Sequence, residues 1–131
     1  MYTMKSSLVL AVSLLLFSFV KDAPKHKGLA NVTVVKAYSQ NVLGKNVGYY
    51  VEFKNNGKSE VDALKWKAFF YDNFDEYKGE SEGTWSSGNF IQPIKSGKTT
   101  EDLETAWIKD ASKVVIKIQK VHFVDGKTIG K

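Results

Sequence analysis

The sequence predicts an all-β chain folded as an antiparallel sandwich of two sheets. Three observations carry that prediction. Beyond residue 28, β-branched and aromatic residues gather in short runs divided by turn residues, and no stretch keeps a helical apolar period. Two of the runs, 47–54 and 61–72, alternate strictly and place large aromatics on one face. Cysteine is absent, so a chain of this size must rest on a hydrophobic core pressed between layers.

The elements follow in order. The valine-rich run 29–38 (LANVTVVKAY) reads as the first strand, and SQNVLGKN after it as a loop. In VGYYVEFK, Val47, Tyr49, Val51 and Phe53 share one face, with Gly48, Tyr50, Glu52 and Lys54 on the other. Asn56-Gly57 then predicts a hairpin, because both residue types tolerate positive φ. The return strand, 61–72, sets Leu64, Trp66, Ala68 and Phe70 inward and Lys65, Lys67, Phe69 and Tyr71 outward. DNFDE is a turn, and YKGESEG a short polar strand or loop. Gly88, Pro93 and Gly97 mark 84–100 as edge-like. In TEDLETAWI, Leu103, Thr105 and Trp107 fall on one side.

The final run, KVVIKIQKVHFVDGK, changes parity midway. Val114, Ile116 and Ile118 point inward, whereas Val121 and Phe123 do so after Gln119. One residue must be absorbed without turning the apolar set outward, which predicts a β-bulge near Gln119 and Lys120. About seven such strands imply an immunoglobulin-like sandwich, with a small closed barrel as the alternative. Trp66, Phe70, Trp107 and Phe123 are expected to fill the space between sheets.

The first twenty residues read differently. Lys5 precedes an apolar run from Leu8 to Val20. Thirteen residues of helix reach about 20 Å, short of the ~30 Å hydrocarbon core of a bilayer. A basic start and a short apolar run fit a secretory signal peptide over residues 1–20. No A-x-A-like triplet follows the run, so an uncleaved N-terminal anchor is the alternative. The polar segment 21–28, with Pro24 and Gly28, reads as a flexible tether to a sandwich domain over 29–131. The chain is expected to be exported, periplasmic or secreted, and to meet a membrane only through an uncleaved leader.

Composition narrows the chemistry. Without cysteine there is no thiol nucleophile, iron–sulfur cluster or thiolate zinc site. The net charge of +5 comes entirely from lysine. A reader of nucleic acid leans on the planar arginine fork, so no nucleic-acid partner is expected.

The segments VEFKNNGKSEVDALKWKAFFYDNFDE, GNFIQPIKSGKT and KVVIKIQKVHFVDGK together resemble small extracytoplasmic bacterial domains of the FxLYD-like, immunoglobulin-like group. The likeness spans 47–127. Of the name-giving motif, Tyr71 and Asp72 match literally, with Ala68 and Phe70 at the positions of its first phenylalanine and its leucine. What the resemblance implies is an exported bacterial domain, often attached to a leader or anchor, with no catalytic residues to carry over.

No catalytic set is legible. GTWSSG lacks the glycine two before Ser86 that a nucleophile elbow requires. His26 and His122 have no nucleophile at a defined spacing. Asp72, Asp75, Glu76, Glu80 and Glu82 supply oxygens for calcium, but Phe74 stands where a loop ligand belongs. Closure of a turn by Asp72 and Asn73 is the stronger reading. Glu101, Asp102 and Glu104 satisfy a search for paired carboxylates only as any acidic segment would. The expectation is a non-enzymatic interaction or accessory domain without cofactor or metal. The alternative is a module binding carbohydrate or cell wall through outward side chains: Tyr50, Lys65, Lys67, Phe69 and Tyr71. The expected partner is a protein or an envelope polysaccharide.

Overall fold

The computed structural model describes residues 23–131; the leader expected over residues 1–20 lies outside the described residues. Seven strands form: β1 Val32–Val42, β2 Lys45–Asn55, β3 Val61–Tyr71, β4 Tyr77–Ser86, β5 Thr99–Thr105, β6 Lys113–Phe123 and β7 Thr128–Gly130. They build two antiparallel sheets, one ordered β1-β2-β5 and the other β4-β3-β6-β7. The all-β sandwich read from the sequence is the fold.

The core comes from the alternation. Tyr49, Val51 and Phe53 from one sheet meet Leu64, Trp66, Ala68 and Phe70 from the other, with Val114, Ile116, Ile118, Val121 and Phe123 of β6 alongside. The bulge falls where the parity change places it. Lys65 pairs with Lys120 and Trp66 with Ile118, so Gln119 is the extra residue and the apolar set stays inward on both sides of it.

The structure corrects four readings. Loop residues SQNVLGKN are largely strand: β1 runs to Val42 and turns on Leu43 (φ 52°) and Gly44 (φ 74°) directly into β2. Asn56-Gly57 is not a hairpin, because β2 and β3 lie in different sheets. The reason is Asn55, fully buried, whose side-chain N–H groups donate to the Ser59 carbonyl at 2.8 Å and the Ile94 carbonyl at 2.9 Å. Its side-chain oxygen accepts the Gly57 N–H at 3.0 Å. Those bonds hold a corner that carries the chain across the core.

The tether is docked over its described part. The Lys27 N–H donates to Ile116 O (3.0 Å), and Lys27 O accepts from the Ile118 N–H (2.9 Å), a parallel bridge to β6. The His26 Nδ1 accepts the Ile116 N–H at 2.9 Å. These bonds satisfy backbone groups that the edge of β6 would otherwise leave open, since β7 covers only its far half.

Trp107 is the fourth correction. It is 73% exposed, and Trp85, 7% exposed, fills the core in its place. On β5 the side chains that share a face with the inward Phe53, Val51 and Tyr49 are Thr100, Asp102 and Glu104. Leu103, Thr105 and Trp107 do share a side, but it is the solvent side. Alternation identifies two faces; in a strand with acids on one and few apolars on the other, only the neighbouring strand's register says which faces in.

Candidate functional site

The five side chains expected to form one site lie on two opposite outer faces. Tyr50 stands on the β1-β2-β5 sheet, whereas Lys65, Lys67, Phe69 and Tyr71 stand on the outer face of β3 in the other sheet. The separation follows from the corner at Asn55: a hairpin at Asn56-Gly57 would have kept β2 beside β3, and the crossing puts the core between them.

The face of β3 is internally satisfied. Lys117 Nζ sits 5.1 Å from the centre of the Phe69 ring. Tyr71 packs edge-on to Tyr77, with ring centres 6.1 Å apart. Glu80 accepts the Tyr77 hydroxyl at 3.1 Å and pairs with Lys67 at 3.8 Å. These are cross-strand contacts that stabilise a sheet surface. The neighbouring acidic loop is closed by Asp72, whose Oδ1 accepts the Phe74 and Glu76 N–H groups at 2.8 and 3.0 Å. The Glu76 N–H bond leads in holding the Asp72 carboxyl below the usual range.

The face around Tyr50 is built differently, in rows that cross all three strands. Tyr38, Tyr50 and Leu103 form one row, and Lys36, Glu52 and Glu101 the next. The Tyr38 and Tyr50 rings stack with centres 4.9 Å apart and planes 18° from parallel. The Tyr50 hydroxyl donates to Glu101 at 2.5 Å. That bond is the main reason its phenol is pushed up to about 12. Lys36 Nζ lies 5.6 Å from the Tyr50 ring centre and 3.9 Å from Glu52. Tyr38 and Leu103 are both at least half exposed. The face therefore offers an aromatic pair flanked by one amine and two carboxylates, all oriented by one another.

Tyr38 also borders a groove of about 510 Å³ where the edge of β1 approaches β6. Its lining includes Pro24, His26, Ser39, Ser112 and Val115. On this side β1 has no strand partner among the described residues. The docked N-terminal segment supplies one wall.

Sequence reasoning passed over Tyr38, which it assigned only to the end of a first strand. Its signal was available: in register, the β1–β2 hairpin places Tyr38 opposite Tyr50, but the turn at Leu43-Gly44 has to be recognised first. Tyr50, by contrast, was identified as outward, and it is.

Between the sheets, at their β4–β5 side, lies a second polar cluster. Trp66 Nε1 donates to the Tyr49 hydroxyl at 2.9 Å, and burial pushes that phenol up to about 12. Glu104, on the same face of β5, is held up to about 7, first by desolvation and then by its hydrogen bond with the Asp102 carboxyl. The Thr84 backbone pulls it the other way. Keeping a proton on Glu104 is cheaper than placing its negative charge in a desolvated position beside the Asp102 carboxyl.

The sign of the pH effect follows. Folding raises the Glu104 pKa above its ordinary 4.5, so the contribution is fully present below pH 4.5 and lost as pH rises through about 7. Glu104 is half-buried and still meets solvent, so screening reduces the effect to roughly 1 kcal/mol. Glu104→Gln is expected to flatten that slope: its melting temperature should exceed the parent's at pH 8 and match it near pH 4. An unchanged difference between the two chains across that range, followed by circular dichroism, would contradict the arrangement.

Compared with family models, characterised proteins and solved structures, the chain has no match.

Proposed function

We propose that this chain is an exported, non-catalytic β-sandwich that binds an envelope polysaccharide through the Tyr38–Tyr50 face. The single observation carrying the reading is the stacked pair itself, flanked by Lys36, Glu52 and Glu101. Sugar rings present C–H faces that pack on aromatic surfaces and hydroxyls that need both donors and acceptors. The face has both, held in place before any ligand arrives, which reduces the entropic cost of binding. Its carboxylates are engaged as hydrogen-bond and ion-pair partners, in keeping with recognition rather than turnover. The apolar leader supports an extracytoplasmic setting, as does the resemblance of 47–127 to FxLYD-like domains.

The test is retention on insoluble cell-wall glycans. Tyr50→Ala removes the stack, the Glu101 bond and the Lys36 contact together and should weaken retention about tenfold, on the order of 1.4 kcal/mol. Tyr71→Ala, on the opposite face, should leave it unchanged. Equal retention of both variants, or none by the parent chain, would end the proposal.

A further inference from the structure

Three loops meet at one end of the sandwich, and that end carries large apolar side chains that no described residue covers. The β1–β2 turn presents Leu43 at 97% exposure, the β3–β4 turn Phe74 at 85%, and the β5–β6 loop Trp107 at 73%. Val42 is more than half exposed beside them. The β3–β4 and β5–β6 loops are tied to each other. Ser112 donates its N–H to Tyr71 O (3.0 Å) and its Oγ–H to Asn73 (2.8 Å), and Lys113 pairs with Asp75 at 2.8 Å. Gly44 and Lys45 border a hollow of about 390 Å³ with Trp107 and Ile108. The apolar groups therefore sit on a braced platform.

Leu43 is costly where it stands. Its φ of 52° lies in the left-handed region, which an L-residue other than glycine or asparagine enters at roughly 1–2 kcal/mol. Among the described residues its side chain finds almost no packing. A strained, fully exposed leucine at the outermost point of a turn is explained when something outside the fold receives it.

The direction of the chain says what that is. Lys27 pairs with Lys117 in the parallel sense, so the chain followed backward from Lys27 runs toward Lys113, the start of β6. Pro24 and Lys25 there line a hollow shared with Tyr71 and Phe74. Ala23 thus sits at the same end as the three loops. Only Lys21 and Asp22 separate it from the apolar run ending at Val20, and three residue steps reach at most about 11 Å.

We infer that this end of the sandwich docks on the bilayer that holds the apolar run, with Leu43, Phe74 and Trp107 inserted at the lipid–water interface. This inference rests on the reading of Leu8–Val20 as a retained anchor and is independent of the glycan face. Tryptophan favours the headgroup level, and leucine and phenylalanine the acyl boundary beneath it. Lys45 and Lys109 line the hollow beside Trp107 and Lys25 the one beside Phe74, where they suit anionic headgroups. Asp75 is neutralised by Lys113 and Asp72 by Lys78, leaving Glu76 and Asp110 as the opposing charges. Membrane docking here stands the sandwich upright and leaves the Tyr38–Tyr50 face open along its side.

Of the chain's three tryptophans, Trp66 and Trp85 are buried, so Trp107 alone can report lipid contact. The full chain is reconstituted into phosphatidylcholine–phosphatidylglycerol vesicles whose acyl chains carry bromine. The expected result is loss of about half of the Trp107 emission, isolated by difference from Trp107→Phe, with a shift to the blue. The double variant Leu43→Lys, Phe74→Lys should still float with the vesicles and keep its circular dichroism, but lose the quenching. Three outcomes overturn the inference: flotation with Trp107 unquenched, no flotation at all, or a blue shift that appears without vesicles as protein concentration rises. The last would mark the tip as a contact between copies, and the first leaves the anchor standing without the docking.

Discussion

Gly83→Ala is expected to abolish cooperative folding. Gly83 lies on the inner face of β4 in register with Trp66 of β3. A Cβ at Gly83 would overlap Cε2, Nε1 and Cζ2 of the Trp66 indole. The ring has nowhere to go: it is fully buried, Phe53 packs on it with centres 4.8 Å apart, and its Nε1 is committed to the Tyr49 hydroxyl. Relief would require moving β4 away from β3 or expelling the indole. Either costs upward of about 4 kcal/mol, beyond ordinary overpacking, against a total stability of roughly 5–15 kcal/mol for a domain. Urea unfolding followed by tryptophan fluorescence should show no transition or one displaced far toward zero denaturant. Adding Trp66→Phe should restore part of the loss, because the smaller ring vacates the space the methyl group needs. A Gly83→Ala chain that melts like its parent would refute the packing described for the β3–β4 pair.

Asn55→Ala is expected to cost about 3 kcal/mol. One buried side chain makes three hydrogen bonds, to Ser59 O, Ile94 O and the Gly57 N–H. Its removal strands buried backbone groups, each at roughly 1–3 kcal/mol, although water at the corner can reach some of them. The backbone of Asn55 is engaged too, its N–H with Lys98 O and its C=O with the Gly97 N–H, so the position ties β2 to the connection that leads into β5. Asn55→Asp separates the roles of the side chain. A carboxylate can accept from Gly57 but cannot donate to either carbonyl, so it should be at least as destabilising as alanine at neutral pH. The comparison of denaturation midpoints checks this; a loss below ~1 kcal/mol for alanine would show that the corner does not depend on the side chain.

Much of the architecture was legible residue by residue. The two-residue period of β2 and β3 grouped Val47, Tyr49, Val51 and Phe53 on one face and Leu64, Trp66, Ala68 and Phe70 on another, and all of them are buried except Val47, which is half-buried. The parity change in β6 placed a bulge near Gln119 and Lys120, and Gln119 is the extra residue, because burying both halves of that strand requires one to be absorbed there. The candidate site was legible only in part. Tyr50 pointed outward as read, yet Tyr38, its stacking partner, went unnoticed, and the four side chains of β3 grouped with it belong to the far side of the molecule.

Such errors share a cause. An Asn-Gly pair is compatible with a hairpin, but whether the chain reverses within a sheet or crosses to the other depends on Asn55 finding Ser59 and Ile94, the second 39 residues away. Trp107 has the composition of a core residue, and only the register of β5 against β2 turns its side of the strand to solvent. By itself, the amino-acid sequence determined the class of fold, the buried layer and the bulge, since these follow from local alternation and the cost of exposing apolar surface. The tertiary structure alone decided which surfaces face the same way, because sheet membership is set by buried polar contacts between residues far apart in the chain.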